Sequence, residues 1–131
     1  MKNVLFICVG NSGRSQMAEA IFNHFSKGKA FATSAGTQPY NEIDPTVVNA
    51  MKEIGIDISD NKPKALTIQM LEEADRVVTM GCGVEGVCPA TFTETEDWGL
   101  EDPKGEPIEK VRGIRDVIKE KVIRLLEDMG D

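Results

Sequence analysis

At 131 residues and 40% apolar composition, the chain is sized for one globular domain over 1–131 with a single core. Its formal charge of -7 argues against nucleic acid or an anionic membrane as a main partner, because both reward a basic face. The apolar run near the N-terminus is too short to span a membrane, and it lacks the charged start and small-residue cleavage site of a secretory signal, so a cytoplasmic location is expected.

In chain order, Val4-Leu5-Phe6-Ile7 predicts a buried strand. Gln16-Met17-Ala18-Glu19-Ala20-Ile21-Phe22 predicts an amphipathic helix running to about Lys27. The turn between them, Cys8-Val9-Gly10-Asn11-Ser12-Gly13-Arg14-Ser15, has the makings of an anion site. Five residues separate Cys8 from Arg14, enough for the backbone to curl until several N–H groups and the helix N-terminus point at one spot. Gly10 and Gly13 permit the left-handed or close-approach conformations of such a ring. Val9, Gly10, Asn11, Ser12 and Gly13 are thus candidate oxyanion donors together with Arg14. Backbone donors, helix dipole and guanidinium all favour negative charge there, which points to Cys8 as a thiolate nucleophile rather than a buried structural thiol.

Ala30 to Gly36 reads as a second strand, and Asp44-Pro45 as a helix start with an N-cap carboxylate and proline at the first turn. Val47, Met51 and Ile54 follow at helical spacing, with Gly55 as the stop. A polar loop, Ser59 to Lys64, leads to a short helix over Thr67 to Glu73 and a third strand, Arg76 to Met80. Gly81 to Thr91 reads as a long loop, and Phe92 to Trp98 has room for a short edge strand. Val111, Ile114, Ile118, Val122, Leu125 and Met129 mark a C-terminal helix with an apolar stripe for the sheet. Alternating strands and helices predict parallel pairing with right-handed crossovers, a three-layer α/β sandwich. Its site belongs at the carboxyl ends of the strands, where Cys8, Gly36 and Gly81 fall.

Two further thiols, Cys82 and Cys88, lie in the loop after the third strand. The spacing is not that of a zinc knuckle, and the only histidine, His24, is mid-helix far away in sequence, so no metal is expected. Ordinary free cysteines or a redox pair serving Cys8 remain, and the flanking glycines suit the motion a thiol relay needs. Attack on an oxyanion centre also calls for an acid to protonate the departing oxygen. Asp102, stiffened by Pro103, is the candidate, with Glu96, Asp97 and Glu101 as competitors.

These segments together resemble the thioredoxin-coupled arsenate reductases, which share the low-molecular-weight protein tyrosine phosphatase fold. The resemblance is carried by Cys8 to Glu19, Ser34-Ala35-Gly36, Gly55 to Ser59, Val77 to Met80 and Asp97 to Pro103, in one order along the chain. It implies a four-stranded parallel sheet with helices on both faces, no tightly bound cofactor, and reduction of arsenate to arsenite. Phosphate or sulfate would compete as anions, and thioredoxin would be the reductant. By position, Cys8 would be the nucleophile, Arg14 the anion clamp, Ser15 the support of the thiolate, Asn11 a loop brace with Ser34, and Asp102 the acid. Cys82 would attack the Cys8 adduct, and Cys88 would resolve the resulting disulfide.

The chain departs from the family pattern in three places. Gly81 stands where the first relay cysteine usually follows the strand, and five residues separate Cys82 from Cys88 where six are usual. Gly13 replaces a cysteine that many relatives carry inside the turn, and Lys64 stands near a carboxylate with which some hold a cation. The nearest alternative is a phosphatase for phosphotyrosine or a small phosphoester. Against it, Lys104 follows Asp102-Pro103, where the phosphatases resemble one another in placing tyrosines. A non-catalytic anion-binding module or thiol redox sensor is a further alternative, opposed by the intact nucleophile, arginine and acid.

Overall fold

The computed structural model describes residues 2–80 and 94–129. Strand β1, Lys2–Cys8, is the centre of the molecule. Val4, Leu5, Phe6 and Ile7 are all fully buried, as a continuous apolar run must be when helices cover both faces of a sheet. Helix α1, Arg14–Ser26, follows the turn, beginning two residues earlier than the apolar pattern suggests. Strand β2, Ala30–Gly36, pairs with β1 in parallel, from Lys2 opposite Ala30 to Cys8 opposite Gly36.

Helix α2, Pro45–Lys52, starts as its sequence predicts: the Asp44 carboxylate accepts the Thr46 N–H at 3.0 Å with proline at the first turn. The short helix α3, Ile68–Glu73, is capped by the Thr67 hydroxyl. It leads into β3, Arg76–Thr79, parallel to β1 on its other side. Strand β4, Glu94–Asp97, lies within the expected edge segment and pairs in parallel with β3. Helix α4, Ile108–Met129, closes the described chain.

The sheet order is β2-β1-β3-β4. Because β1 points alternate side chains to opposite faces, Val4, Phe6 and Cys8 join the large core formed with α1, α2 and α4, while Leu5 and Ile7 meet Leu71 of α3. Helices therefore cover both faces, unequally. The predicted α4 stripe is buried at Val111, Ile114, Ile118, Val122 and Leu125, but its principal neighbours are α1 and α2 rather than the sheet alone. Those two helices already occupy that face, so α4 fills the groove they leave. The chain moves from β1 outward to β2 and then returns past β1 to β3. That reversal opens a crevice at the carboxyl ends of β1 and β3, where ligands bind in open α/β sheets.

Candidate active site

The turn after β1 closes into a cradle because its carbonyl groups are drawn outward. Cys8, Val9 and Gly10 carbonyls accept N–H bonds from Thr37, Gln38 and Tyr40 at 2.9–3.1 Å, and the Ser12 carbonyl accepts from Asp44 at 3.0 Å. The segment after β2 thus runs alongside the cradle as a backbone brace. Among the described residues, the N–H groups of Gly10, Ser12, Gly13 and Arg14 have no protein acceptor, as expected at the mouth of a helix that lacks a side-chain cap. Together with the start of α1 they present unpaired donors of the kind an anion accepts from.

Glycine is required around this ring for close approach. A Cβ at Gly10 would lie 2.5 Å from the Tyr40 ring, and one at Gly13 would lie 2.8 Å from Pro103 Cγ. At Gly36 it would stand 2.5 Å from the Val9 carbonyl oxygen. The left-handed residue of the cradle is Asn11, with φ of 51°. Asparagine tolerates that conformation better than most side chains do.

Cys8 sits at the floor, 3% exposed, with its sulfur 3.2 Å from the Asn11 N–H donor and 2.8 Å from Ser15 Oγ. The direction of each proton in the surrounding network follows from its neighbours. Asn11 Nδ2 donates to Ser15 Oγ at 2.7 Å and to Ser34 Oγ at 3.0 Å, so both hydroxyls act as acceptors there. Ser34 then donates to Glu19 Oε1 at 2.7 Å, and the Ser15 proton is left for the sulfur. Lys64 Nζ pairs with the same Glu19 oxygen at 3.2 Å. The row Lys64, Glu19, Ser34, Asn11, Ser15 presents two donors, Ser15 O–H and Asn11 N–H, to Cys8.

Asn11 is the hub. Besides those donors, its Oδ1 accepts from Gln16 Nε2 at 2.9 Å and the Lys64 N–H at 2.8 Å, so a fully buried amide has every hydrogen-bonding capacity engaged. Its own backbone N–H, expected among the anion donors, points at Cys8. Arg14 is 6% exposed; its Nη1 donates to the Met80 carbonyl at 2.6 Å and the Leu100 carbonyl at 3.0 Å. Those bonds tie it to the end of β3 and to the segment after β4. Its Nη2 lies 3.8 Å from Asp102 Oδ2, and the Asp102 side chain is 54% exposed.

The competitors for the acid are engaged elsewhere. Glu96 accepts from Trp98 Nε1, Asp97 accepts from Thr79 Oγ1 at 2.9 Å, and Glu101 pairs with Lys110 at 2.7 Å. Asp102 is the carboxylate that the fold brings to the arginine. Its Oδ1 also accepts the Lys104 N–H at 3.0 Å, which fixes the turn through Pro103. The expected loop from Gly81 to Thr91, with Cys82 and Cys88, lies outside the described residues. Among the described residues, no group of three or more His, Cys, Asp or Glu is placed to hold a metal ion.

Sequence reasoning missed Gln16, which is fully buried and also donates to the Lys62 carbonyl at 3.2 Å. It missed Glu19 and Tyr40 as well. Their signal was position alone: a polar residue on the helix face turned toward the cradle, and an aromatic just after a strand end.

A cysteine on a backbone-amide cradle at the start of a helix, with a buried arginine and a facing aspartate, is the arrangement of an enzyme that handles a tetrahedral oxyanion beside a cysteine. More particularly, the chain belongs to the low molecular weight phosphotyrosine protein phosphatase family, whose model matches residues 3–131. It is 39% identical over 129 residues to the glutaredoxin arsenate reductase of Synechocystis sp., covering 96% of this chain and 97% of that protein. Among solved structures it is similar to an arsenate reductase in the phosphate binding state, with a TM-score of 0.88, 38% identity and 98% of each chain covered. It is also similar to the thioredoxin-dependent arsenate reductase of Corynebacterium glutamicum, with a TM-score of 0.84 and 37% identity, covering 99% of this chain and 62% of that one.

Proposed function

We propose that this chain is an arsenate reductase that forms a thiol-arsenate adduct on Cys8 and is regenerated by thioredoxin. The observation that carries the reading is the floor of the cradle, where Cys8 Sγ faces the Ser15 hydroxyl at 2.8 Å and the Asn11 N–H at 3.2 Å. In the first step the Cys8 thiolate bonds to arsenic while an As–O bond breaks, and Asp102 gives the departing hydroxide its proton, so that water leaves. Gly10, Ser12, Gly13 and Arg14 hold the remaining oxygens, with Val9 completing the turn.

Reduction then needs a second thiol. Cys82 attacks the Cys8 sulfur, the S–As bond breaks with its electron pair passing to arsenic, and arsenite leaves behind a Cys8–Cys82 disulfide. Cys88 attacks Cys82, which frees Cys8 and leaves a Cys82–Cys88 disulfide for the thioredoxin dithiol to reduce. Two extra thiols in one chain support this order over simple phosphoester hydrolysis, for which they have no use. The reading places the protein, as a single domain over 1–131, in the reducing cytoplasm, where such thiols are kept available. Phosphate and sulfate compete for the cradle, and a weak phosphatase activity through Cys8, Arg14 and Asp102 accompanies the main one.

The test is arsenite formation with a thioredoxin system, beside a glutaredoxin system and p-nitrophenyl phosphate hydrolysis, for wild type and the Cys8→Ser, Cys82→Ser and Cys88→Ser variants. Cys8→Ser is expected to abolish both activities. Cys82→Ser and Cys88→Ser are expected to keep hydrolysis and lose multiple-turnover reduction. Sustained reduction at the wild-type rate by both relay variants would show that the relay reading is wrong.

A further inference from the structure

Two segments from different parts of the chain meet on the cradle. From the stretch after β2, Tyr40 donates its backbone N–H to the Gly10 carbonyl at 2.9 Å and lays its ring against the Gly10 Cα, where a Cβ would come within 2.5 Å of Cε2. From the stretch before α4, Pro103 packs on Gly13 and Lys104 follows it. The Lys104 ammonium stands over the Tyr40 ring, 3.9 Å from its centroid. Both side chains remain solvent-exposed, Tyr40 at 37%, so the pair lies at the edge of the cradle rather than in its frame.

We propose that Tyr40 and Lys104 form a charged rim that favours a small free oxyanion over an aryl ester of the same head group. An aryl phosphate held by its phosphoryl group must carry its ring out past Gly10 and Gly13. Among the described residues, the aromatic ring that lies against Gly10 is that of Tyr40, and Lys104 already stands over it as a cation. Stacking there requires the ammonium to leave. An inorganic tetrahedral anion has no such tail. For it the ammonium is a gain, because this chain carries a formal charge of -7 and otherwise repels a dianion approaching the cradle. Lys104 is thereby a specificity-determining residue. The inference deepens the proposed reductase reading by stating why the same cradle prefers a free oxyanion.

Binding without turnover separates the two. In a Cys8→Ser background, calorimetry with inorganic arsenate, inorganic phosphate and phenyl phosphate reads the rim directly. Lys104→Ala is expected to weaken both inorganic anions by roughly three- to tenfold, an effect that shrinks as salt rises. Phenyl phosphate binding is expected to hold or tighten, and Lys104→Arg to restore the wild-type ratio, since arginine also stacks as a cation. In the protein with Cys8 intact, the same ratio is read from inhibition of p-nitrophenyl phosphate hydrolysis by inorganic arsenate. A common factor for all three ligands, or no change in any, would overturn the rim. A wild type that binds arsenate yet makes no arsenite would sink the reductase reading alone, and the binding ratios would still judge the rim.

Discussion

Replacing Asn11 by alanine tests whether the cradle is held by one amide. The side chain takes part in four hydrogen bonds, at 2.7 Å to Ser15, 3.0 Å to Ser34, 2.9 Å from Gln16 and 2.8 Å from the Lys64 N–H. The two hydroxyls keep other partners in Cys8 and Glu19, and Gln16 keeps the Lys62 carbonyl, so the group most clearly stranded is the Lys64 amide. Stranding that part-buried donor costs about 1–2 kcal/mol, and the loss of the hydroxyl bonds adds about 1 kcal/mol. Alanine must also hold a φ of 51°, which costs roughly 1–2 kcal/mol. Asn11→Ala should therefore lose about 4 kcal/mol in urea unfolding. Asn11→Gly, free of the dihedral penalty, should lose about 1 kcal/mol less. In single-turnover assays both should slow the first chemical step by about a hundredfold, because Ser15 Oγ and the Asn11 N–H are no longer held rigidly beside the sulfur. If alanine and glycine prove equally stable, or if both lose under about 1 kcal/mol, the hub account of the cradle is wrong.

Ser15→Ala removes the hydroxyl at 2.8 Å from Cys8; a hydrogen bond to a charged group is worth about 1.5–3 kcal/mol, so the first step should fall by about ten- to a hundredfold in rapid-quench measurements with folding intact. Gly36→Ala places a Cβ 2.5 Å from the Val9 carbonyl oxygen and 3.0 Å from Asn11 Cβ, and because backbone must yield, a loss of about 1–3 kcal/mol in thermal unfolding should accompany a much weakened affinity for inorganic phosphate. Glu53 accepts from Arg112 and Arg115, which hold its carboxyl at about 2, below the ordinary 4.5. A carboxylate depressed in the folded state stabilises above the ordinary value and loses that contribution as pH falls toward the folded one. The stability gap between wild type and Glu53→Gln should therefore be full near neutrality and close between about pH 4.5 and 2, as read by urea unfolding at stepped pH.

What the sequence conveys most directly is whatever depends on neighbours along the chain. The Asp44-Pro45 start, the unbroken Val4–Ile7 run of a doubly covered strand, and the Val111–Leu125 stripe are all local or periodic signals, and each appears in the fold. The Cys8-to-Arg14 spacing belongs with them, since the ring it forms closes on itself. The partners of α4 were less legible, because a periodic stripe says that a face is buried but not against what. At the cradle, the glycines were expected to serve left-handed or close-approach backbone; they serve close approach, to Tyr40, Pro103 and Val9, while the left-handed position falls to Asn11. Nothing local marks Asn11 as the hub, because Ser34, Gln16 and Lys64 reach it from three different stretches of chain. The choice of Asp102 over Glu101 depends likewise on the direction a side chain takes in folded space: one turns toward Arg14, the other toward Lys110.

The brace along the outside of the cradle is made of main-chain groups: the Thr37, Gln38, Tyr40 and Asp44 amides on Cys8, Val9, Gly10 and Ser12 carbonyls. Every amino acid except proline brings the same amide, so the shape of the reactive ring is insulated from most changes of residue type at these positions. Selectivity is open to revision at Tyr40 while attack geometry is inherited unchanged. A laboratory library confined to Thr37, Gln38 and Tyr40 should accordingly yield variants that differ in what they admit far more than in whether Cys8 reacts.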